Sequence, residues 1–299
     1  MRLLIGGIHE CRRTPVLVCP NHVASARVSL KSVGRYRWLV SLFKKTLSNG
    51  IVIAAQSQTD ADRFLSLGAS PARTRVTGNI KFDIELPADI AERGQALRQD
   101  VFGDRPVWIA ASTHDGEERI VLDAHERLLK HNSDLLLVLV PRHPERFPAV
   151  LESLKRRGLN TVSRTEGRPA DANTVVFLGD TMGEVPLFYS ASDMAFVGGS
   201  LVPVGGHNLL EPAALGCPVI TGPHLFNAQE IADRFVAEKA CRVVTDAAEL
   251  ERAVAELLND PAALKALSHN GRALVENNRG SLERLLELVR PLLQRLPAP

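Results

Sequence analysis

Six short, almost uninterrupted apolar runs separated by helical patterns constrain the fold of this chain more than any other feature. They are Val107 to Ala111, Leu135 to Val140, Val175 to Leu178, Met194 to Val197, Val219 to Thr221 and Arg242 to Thr245. Strands that are apolar on both faces and are joined by helices form a parallel sheet that helices cover on both sides. The sequence therefore predicts an α/β protein.

The residues before Val107 repeat this pattern less completely. Predicted elements there are strands at Pro15 to Cys19, Gly50 to Ala55 and Arg75 to Thr77, and a helix at Thr59 to Leu67. A chain of 299 residues is long enough for about two domains. We predict a Rossmann-like domain over residues 1–84, a connector over 85–105 and a second Rossmann-like domain over 106–299. Two helices, Pro261 to Asn277 and Ser281 to Leu293, end that second domain.

Charge and cysteine content exclude several classes of protein. The formal net charge is +2, which argues against a surface built to bind nucleic acid, so an anion site must be local. The four cysteines form no CxxC pair, which makes zinc binding improbable and favours a reducing compartment. The chain lacks GxxxxGK[ST], and it lacks GxGxxG at a strand-to-helix junction, which argues against kinases, ATPases and nicotinamide dehydrogenases. No cofactor and no metal ion are expected.

No apolar run approaches the ~20 residues needed to span a bilayer. An amphipathic stretch from Ser29 to Leu47 carries five basic residues beside Tyr36, Trp38 and Phe43. The favoured interpretation is a surface helix with a solvated basic face, and the alternative is a helix that lies on a membrane surface.

The strongest local motif runs from Gly198 to Pro212 and contains two Gly-Gly pairs after a predicted strand. Backbone N–H groups of such a loop, at the start of a helix, favour a bound phosphate. A carboxylate at Glu211 can accept hydrogen bonds from both hydroxyls of a ribose. Asn208 and Glu211 also have the spacing of a capping box, which needs no ligand. Capping does not require two Gly-Gly pairs, so a ligand site is the favoured interpretation.

Two further loops follow predicted strands at the same edge of the sheet. Pro141-Arg142-His143-Pro144 offers an arginine that can bind a phosphate or a base carbonyl, although a proline-started helix with a loop arginine explains it equally well. Asp180 to Glu184 occupies the next such position, where a helix cap is the alternative. Ser112 or Thr113 is predicted to cap a helix whose first turn holds Glu117 and Glu118.

These loops resemble, in order and spacing, those of the 3-deoxy-D-manno-octulosonic acid (Kdo) transferases. The quoted motifs are Ser112 to Glu118, Pro141 to Arg146, Gly179 to Glu184 and Gly205 to Pro212, and the resemblance covers nearly the whole chain. It implies the GT-B architecture, with an acceptor-side Rossmann-like domain over residues 1–84 and a second one over 106–299 that binds the donor CMP-Kdo. It further implies a metal-independent inverting transfer of Kdo from CMP-Kdo to a lipid A precursor. It also implies work at the cytoplasmic face of the bacterial inner membrane, as a peripheral protein without nucleic-acid partners.

The resemblance also assigns roles to individual residues. The family's CMP contacts fall on Pro141, Arg142, Met182, Gly183, Glu184, Asn208, Leu209, Leu210 and Glu211. The lysine that stabilises the transition state in the family falls on Lys81, where a positive charge would offset the negative charge that develops as CMP departs.

In the family, a membrane-anchoring segment and a catalytic glutamate precede the region that corresponds to Met1. We therefore expect an N-terminal domain that is truncated, no assignable catalytic base and doubtful transferase activity. Two alternatives to an active Kdo transferase stay open: a non-catalytic nucleotide-binding remnant, and another GT-B enzyme such as a nucleotide-sugar epimerase.

Overall fold

The computed structural model of the protein describes residues 3–5, 22–26 and 51–293. The predicted strand at Pro15 to Cys19 and the amphipathic stretch from Ser29 to Leu47 lie outside the described residues. Within them, residues up to Asp83 and from Asn277 form one compact unit, and Ile84–Glu276 form a second.

The first unit contains a parallel sheet of four strands in the order β1-β2-β3-β4. The strands are β1 (Leu3–Ile5), β2 (His22–Ala26), β3 (Val52–Ala55) and β4 (Thr74–Val76). Helix α1 (Gln58–Ser66) connects β3 to β4, and the Ser57 side chain caps it by accepting a hydrogen bond from the Asp60 N–H. The predicted strands and helix between Gly50 and Thr77 are confirmed to within about two residues.

The second unit contains a parallel sheet of seven strands in the order β11-β10-β9-β5-β6-β8-β7. Its strands are β5 (Val107–Thr113), β6 (Leu136–Pro141), β7 (Thr161–Ser163), β8 (Val176–Leu178), β9 (Met194–Val197), β10 (Val219–Thr221) and β11 (Cys241–Val243). The six apolar runs are therefore confirmed as strands. Strand β7 is an additional strand that was not predicted from the sequence.

The helices of this unit cover both faces of its sheet. They are α2 (Ile90–Leu97), α3 (Glu117–Leu129), α4 (Phe147–Arg156), α5 (Val185–Ser190), α6 (Leu210–Ala214), α7 (Gln229–Ala237), α8 (Ala247–Asn259) and α9 (Pro261–Glu276). Successive residues of β5 enter opposite cores: Trp108 and Ala110 pack with one helical layer, and Ile109 and Ala111 pack with the other. This alternation explains why the strands are apolar without interruption.

Two segments group differently from the predicted domain boundaries. Residues 84–105, predicted as a connector, form α2 and a following turn whose Ile90, Leu97 and Phe102 belong to the core of the second unit. The last helix, α10 (Ser281–Leu293), groups with the first unit. There the Asp83 carboxylate accepts hydrogen bonds from the N–H groups of Gly280 and Leu282, both at 2.6 Å. The division into an acceptor-side domain and a donor domain remains a prediction.

Candidate functional site

The carboxyl ends of the central strands in the seven-stranded sheet form the candidate site. The chain passes from β5 to β6, which pairs with β5 on one side. Strand β9 pairs with β5 on the other side, and the chain passes from β9 away from β5 to β10. The loops after β5 and β9 therefore diverge, and such a divergence opens a crevice at the carboxyl edge of a parallel sheet. All three motifs that the sequence analysis selected lie at this edge.

A cleft of about 260 Å³ lies at this edge. Its lining comes from the carboxyl ends of β5 and β6, from the loops after β6, β8 and β9, and from the helices α5 and α6. The lining residues are Ser112, Val140, Pro141, Arg142, Thr181, Met182, Gly183, Val185, Tyr189, His207, Asn208 and Glu211. Six of the nine predicted CMP contacts are among them: Pro141, Arg142, Met182, Gly183, Asn208 and Glu211.

The Gly-rich loop after β9 is held from inside the protein by the carboxylate of Glu117. This side chain is completely buried and accepts hydrogen bonds from the N–H groups of Gly199, Ser200 and Leu201 at 2.7 to 3.0 Å. It also accepts one from the His114 N–H at 3.2 Å. The expectation that amides of this loop would bind a phosphate is therefore wrong for these three, because Glu117 already occupies them.

Close packing at the start of the loop requires glycine. A Cβ atom at Gly198 would stand 2.7 Å from the Glu117 Oε2 atom and 2.7 Å from the Ser112 carbonyl oxygen. No side chain fits there without displacing the backbone.

The predicted cap of α3 is wrong in register: Ser112 and Thr113 belong to β5, and Gly116 occupies the N-cap position.

Asn208 and Glu211 lie at the exit of the same loop. Asn208 accepts a hydrogen bond from the Leu210 N–H at 3.0 Å through Oδ1, and its Nδ2 donates to Glu211 Oε1 at 3.0 Å. The predicted capping box is wrong, because α6 begins at Leu210 and Leu209 occupies its N-cap position. The Asn208 amide instead orients the Glu211 carboxylate, which lines the cleft.

Leu209 and Leu210 have a different position from the other predicted contacts. Their side chains are buried, with exposed fractions of 3% and 2%. They anchor the loop in the core. A contact of these two residues with CMP would therefore involve their backbone atoms, and this contact remains a prediction.

Arg142 follows β6 and is exposed at the cleft. Its N–H donates to the Thr113 carbonyl oxygen at 2.9 Å, which fixes the loop beside β5. Pro144 begins a short 3-10 turn, Pro144–Arg146, that leads into α4. The two interpretations of this motif are thus compatible: a proline starts the helical segment, and the arginine lines the cleft.

In the loop after β8, Met182 and Gly183 line the cleft, whereas Glu184 is not among the lining residues. Glu184 receives two hydrogen bonds from the Arg164 guanidinium, at 2.9 and 3.1 Å, and one from the Thr181 hydroxyl. These hydrogen bonds, that from Arg164 above all, lower the pKa of the Glu184 carboxyl. Glu184 braces this loop, and its predicted contact with CMP remains a prediction.

Lys81 belongs to the first unit. It lies in a 3-10 turn, Ile80–Phe82, where its N–H donates to Asn79 Oδ1 at 3.1 Å and its side chain is exposed. Its predicted role in catalysis remains a prediction.

Three histidines and Arg142 lie together beside the cleft. The Nε2 atoms of His114 and His207 are 2.7 Å apart, and the ring of His143 packs edge-on against His114 at 5.2 Å between centroids. Burial, His114, Arg142 and His143 lower the pKa of His207 to about 4. Burial, His143 and the two arginines Arg142 and Arg146 also lower the pKa of His114. Both rings are therefore neutral at pH 7.

Six of the lining residues were not assigned to the ligand by the sequence analysis: Ser112, Val140, Thr181, Val185, Tyr189 and His207. Tyr189 is fully buried, and burial, with the nearby Glu211 carboxylate as a smaller cause, raises its pKa well above the ordinary value. Ser112 has a positive φ of 57° at the end of β5. Of the six, Ser112, Thr181 and His207 carried a usable signal, since each stands inside one of the quoted motifs.

Within the described residues, no three or more histidine, cysteine, aspartate or glutamate side chains are arranged to hold a metal ion. The described helices also include none with the length and apolar character that a bilayer span requires.

Comparison with known proteins connects this geometry to a family. Residues 7–84 match the family model described as 3-deoxy-D-manno-octulosonic-acid transferase (kdotransferase), and residues 105–274 match that of glycosyl transferases group 1. A 3-deoxy-D-manno-octulosonic acid transferase of Haemophilus influenzae is 43% identical over 277 residues, and one of Bordetella pertussis is 36% identical over 272. These matches cover 92% and 90% of this chain but 65% and 63% of the two relatives.

Solved structures agree with this result. The C-terminal CMP-Kdo binding domain of WaaA from Acinetobacter baumannii is 38% identical, with a TM-score of 0.60, and the match covers 63% of this chain and 98% of that domain. A UDP-N-acetylglucosamine 2-epimerase is 17% identical, with a TM-score of 0.54 over 92% of this chain and 66% of its own, and shares the fold alone. The predicted α/β fold of the GT-B type is confirmed, and the chain belongs to the glycosyl transferases of group 1 and, among them, to the Kdo transferase family.

Proposed function

We propose that this chain transfers Kdo from CMP-Kdo to a lipid A precursor, lipid IVA, at the cytoplasmic face of the inner membrane. One observation carries the proposal. The cleft of the second unit is lined by six of the nine residues that correspond to the family's CMP contacts. The unit that holds this cleft is also the part of the chain that resembles a solved CMP-Kdo binding domain at 38% identity.

Each lining residue suits one part of the nucleotide. The Glu211 carboxylate, which accepts a hydrogen bond from Asn208, would accept further hydrogen bonds from the ribose hydroxyls. Arg142 is exposed at the cleft and offers a guanidinium to the phosphate or to a base carbonyl. Met182 and Gly183 stand on the braced loop after β8, where their backbone groups and the Met182 side chain would meet the base.

In the transfer, the bond between the anomeric carbon of Kdo and the phosphate oxygen of CMP would break and CMP would leave. The acceptor hydroxyl oxygen would bond to that carbon with inversion and release its proton. Negative charge develops on the departing phosphate, so positive side chains lower the barrier. We assign this role to Lys81, the residue that corresponds to the family's lysine. No metal ion is part of the proposed step, and no residue is assigned as the base.

Substitution of Glu211 tests the nucleotide site. We expect Glu211→Gln to weaken CMP binding by about 10-fold to 100-fold, because hydrogen bonds to a charged group contribute roughly 1.5 to 3 kcal/mol. The measurement is isothermal titration with CMP. Glu238→Gln, an exposed carboxylate of the same unit, is the matched control and should bind as the wild type does. A wild-type chain without saturable CMP binding, or an unchanged affinity in Glu211→Gln, contradicts the site assignment.

A transfer assay distinguishes the proposed activity from the two alternatives. Incubation with CMP-Kdo and lipid IVA should give a Kdo-modified lipid, detected by mass spectrometry. Tight CMP binding without such a product favours a nucleotide-binding protein that does not catalyse transfer. Turnover of UDP-sugars in place of CMP-Kdo favours another GT-B enzyme.

A further inference from the structure

The rings of His114 and His207 form an end-to-end pair beside the cleft. Their planes differ by 5°, their centroids are 5.0 Å apart, and their Nε2 atoms are 2.7 Å apart. An imidazole nitrogen lies a little over 1 Å from the ring centre, so these values place the two rings in line rather than face to face. This is the geometry of an N–H···N hydrogen bond.

A nitrogen pair at this distance fixes how many protons the two rings can hold. One Nε2 must carry a hydrogen and the other must offer a lone pair, since two N–H groups cannot point at each other. In the neutral pair, one ring is protonated at Nε2 and the other at Nδ1. The ring that donates still has a free Nδ1, which can accept one more proton without breaking the contact. The pair therefore has two states, neutral and singly charged.

The surroundings of the pair are cationic. Arg142, His143 and Arg146 face His114, and Arg142 and His143 face His207. The carboxylates nearby have other partners. Asp115 and Glu118 each pair with Arg146 at 3.0 Å, and Glu117 is occupied by backbone N–H groups.

Two further carboxylates belong to the same loops. Glu145 stands 3.8 Å from His143, and Glu211 accepts a hydrogen bond from Asn208. The His114–His207 pair thus lacks a carboxylate partner of its own among the described residues. His207 and Arg142 nevertheless line the cleft, where an anion of the ligand can reach them.

We propose that the His114–His207 pair, together with Arg142, binds an acidic group of the donor, and that the pair takes up one proton as the donor binds. This inference rests on the proposed function. CMP-Kdo carries two acidic groups, the phosphate and the carboxylate of the sugar acid, and either would supply the counter-charge that the pair lacks. The pair would then be neutral in the free protein and singly charged in the complex with the donor.

The direction of the pH effect follows from linkage. In the empty cleft the pair is neutral at pH 7, because burial and the neighbouring cations depress both pKa values. A bound anion favours the charged state and raises the pKa of the pair. The complex then binds more protons than the free protein, so affinity for the donor rises as the pH falls from 8 to 6.

The experiment compares His207→Gln and His114→Gln with the wild type. Glutamine retains a hydrogen-bonding amide but does not titrate. Dissociation constants for CMP-Kdo and for CMP are measured at pH 6, 7 and 8, and proton uptake is measured by calorimetry in two buffers of different ionisation enthalpy. His131→Gln, an exposed histidine of the same unit, is the matched control.

For the wild type and for His131→Gln, we expect CMP-Kdo to bind about fivefold more tightly at pH 6 than at pH 8, with net proton uptake. Each single variant should reduce this pH dependence and the uptake, and the double variant His114→Gln/His207→Gln, which has no titratable ring in the pair, should lose both. Because the phosphate of CMP titrates near pH 6 itself, each ligand is compared between protein variants. A change confined to CMP-Kdo identifies the sugar carboxylate as the acidic group, and a change with both ligands identifies the phosphate.

Wild-type pH dependence and proton uptake in both histidine variants would overturn the inference. Far-UV circular dichroism and thermal unfolding show whether each variant is folded, and two independent variants protect the test against the loss of one. Failure of the proposed function gives a different result. In that case the wild type would not bind CMP-Kdo at any pH, whereas failure of this inference leaves donor binding intact.

Discussion

At the scale of single residues, the carboxylate of Glu117 joins two loops of the site. It holds the His114 N–H of one loop and three N–H groups of the Gly-rich loop that ends near His207. Four donors compensate a charge that is completely buried, which would otherwise be strongly unfavourable. The positions of both paired histidines therefore depend on one side chain that does not line the cleft.

Replacement of Glu117 should destabilise the second unit. Glu117→Gln removes the charge and turns an amide N–H toward backbone donors, so we expect a loss on the order of 3 kcal/mol in the free energy of unfolding. Urea denaturation of the full chain measures this. Asp115→Asn is the matched control, since the Asp115 side chain is 90% exposed and its replacement should change stability by less than about 0.5 kcal/mol. Equal midpoints for Glu117→Gln and the wild type would contradict this account.

The residue types at the strand ends predicted many of the side chains that line the cleft, but not the groups with which each side chain forms hydrogen bonds. Arg142, Asn208 and Glu211 line the cleft because they follow strands or the Gly-rich turn, and that order can be read locally. Glu117 was interpreted as a favourable charge at a helix start, yet three of its four donors are 82 to 84 residues away. Arg164, the guanidinium partner of Glu184, is 20 residues distant. No local rule identifies such pairs.

At the scale of elements, burial decided which predictions succeeded. The strands β5, β6, β8 and β9 are buried along their length and appear as apolar runs. Strand β7 has three residues, Thr161–Ser163, and stands at the edge of the sheet, so it leaves too short a pattern to recognise. Helix α6 begins at Leu210 with Leu209 as its N-cap, so the capping box weighed as an alternative for Asn208 and Glu211 is wrong in register.

The residue that caps helix α10, Asp83, lies far from this helix in the sequence. Asp83 accepts hydrogen bonds from the Gly280 and Leu282 N–H groups, and Arg284 donates to the Thr77 carbonyl oxygen at 2.9 Å. A Cβ atom at Gly78, where φ is +91°, would overlap the Ser281 hydroxyl. The turn after β4 and the start of α10 are thus closely packed.

We expect Asp83→Ala to weaken this packing by about 1 kcal/mol, the usual contribution of a helix cap. Hydrogen exchange followed by mass spectrometry should then show about fivefold faster exchange in peptides of α10, with unchanged rates in the second unit. Asp246→Ala, which removes the cap of α8, is the reciprocal control and should accelerate exchange in that helix alone. Uniform acceleration across the chain, or none in α10, would be inconsistent with a local cap.

At the scale of the whole molecule, the second unit carries a complete cleft. All twelve residues that line it lie within Ile84–Glu276. The related domain from Acinetobacter baumannii was solved separately, and 98% of it is covered by the match with this chain. We therefore expect the second unit to fold as an independent domain.

A fragment of residues 84–276 should bind CMP with an affinity within about threefold of the full chain, because every lining residue is retained. Calorimetric titration of the two proteins tests this, after thermal unfolding has shown that the fragment is folded. The fragment with Glu211→Gln serves as the negative control. Binding by the full chain but not by the folded fragment would mean that residues outside the second unit complete the nucleotide site.

The hydrogen bonds from Asp83 to the start of α10 span 197 and 199 residues of sequence. During synthesis the chain emerges from the ribosome in order, and continuous domains fold as they appear. The second unit, an uninterrupted segment, can be finished while the first still lacks α10. Residues 51–83 must therefore wait through the synthesis of the whole second unit, and the unit that is translated earlier is the one that matures last.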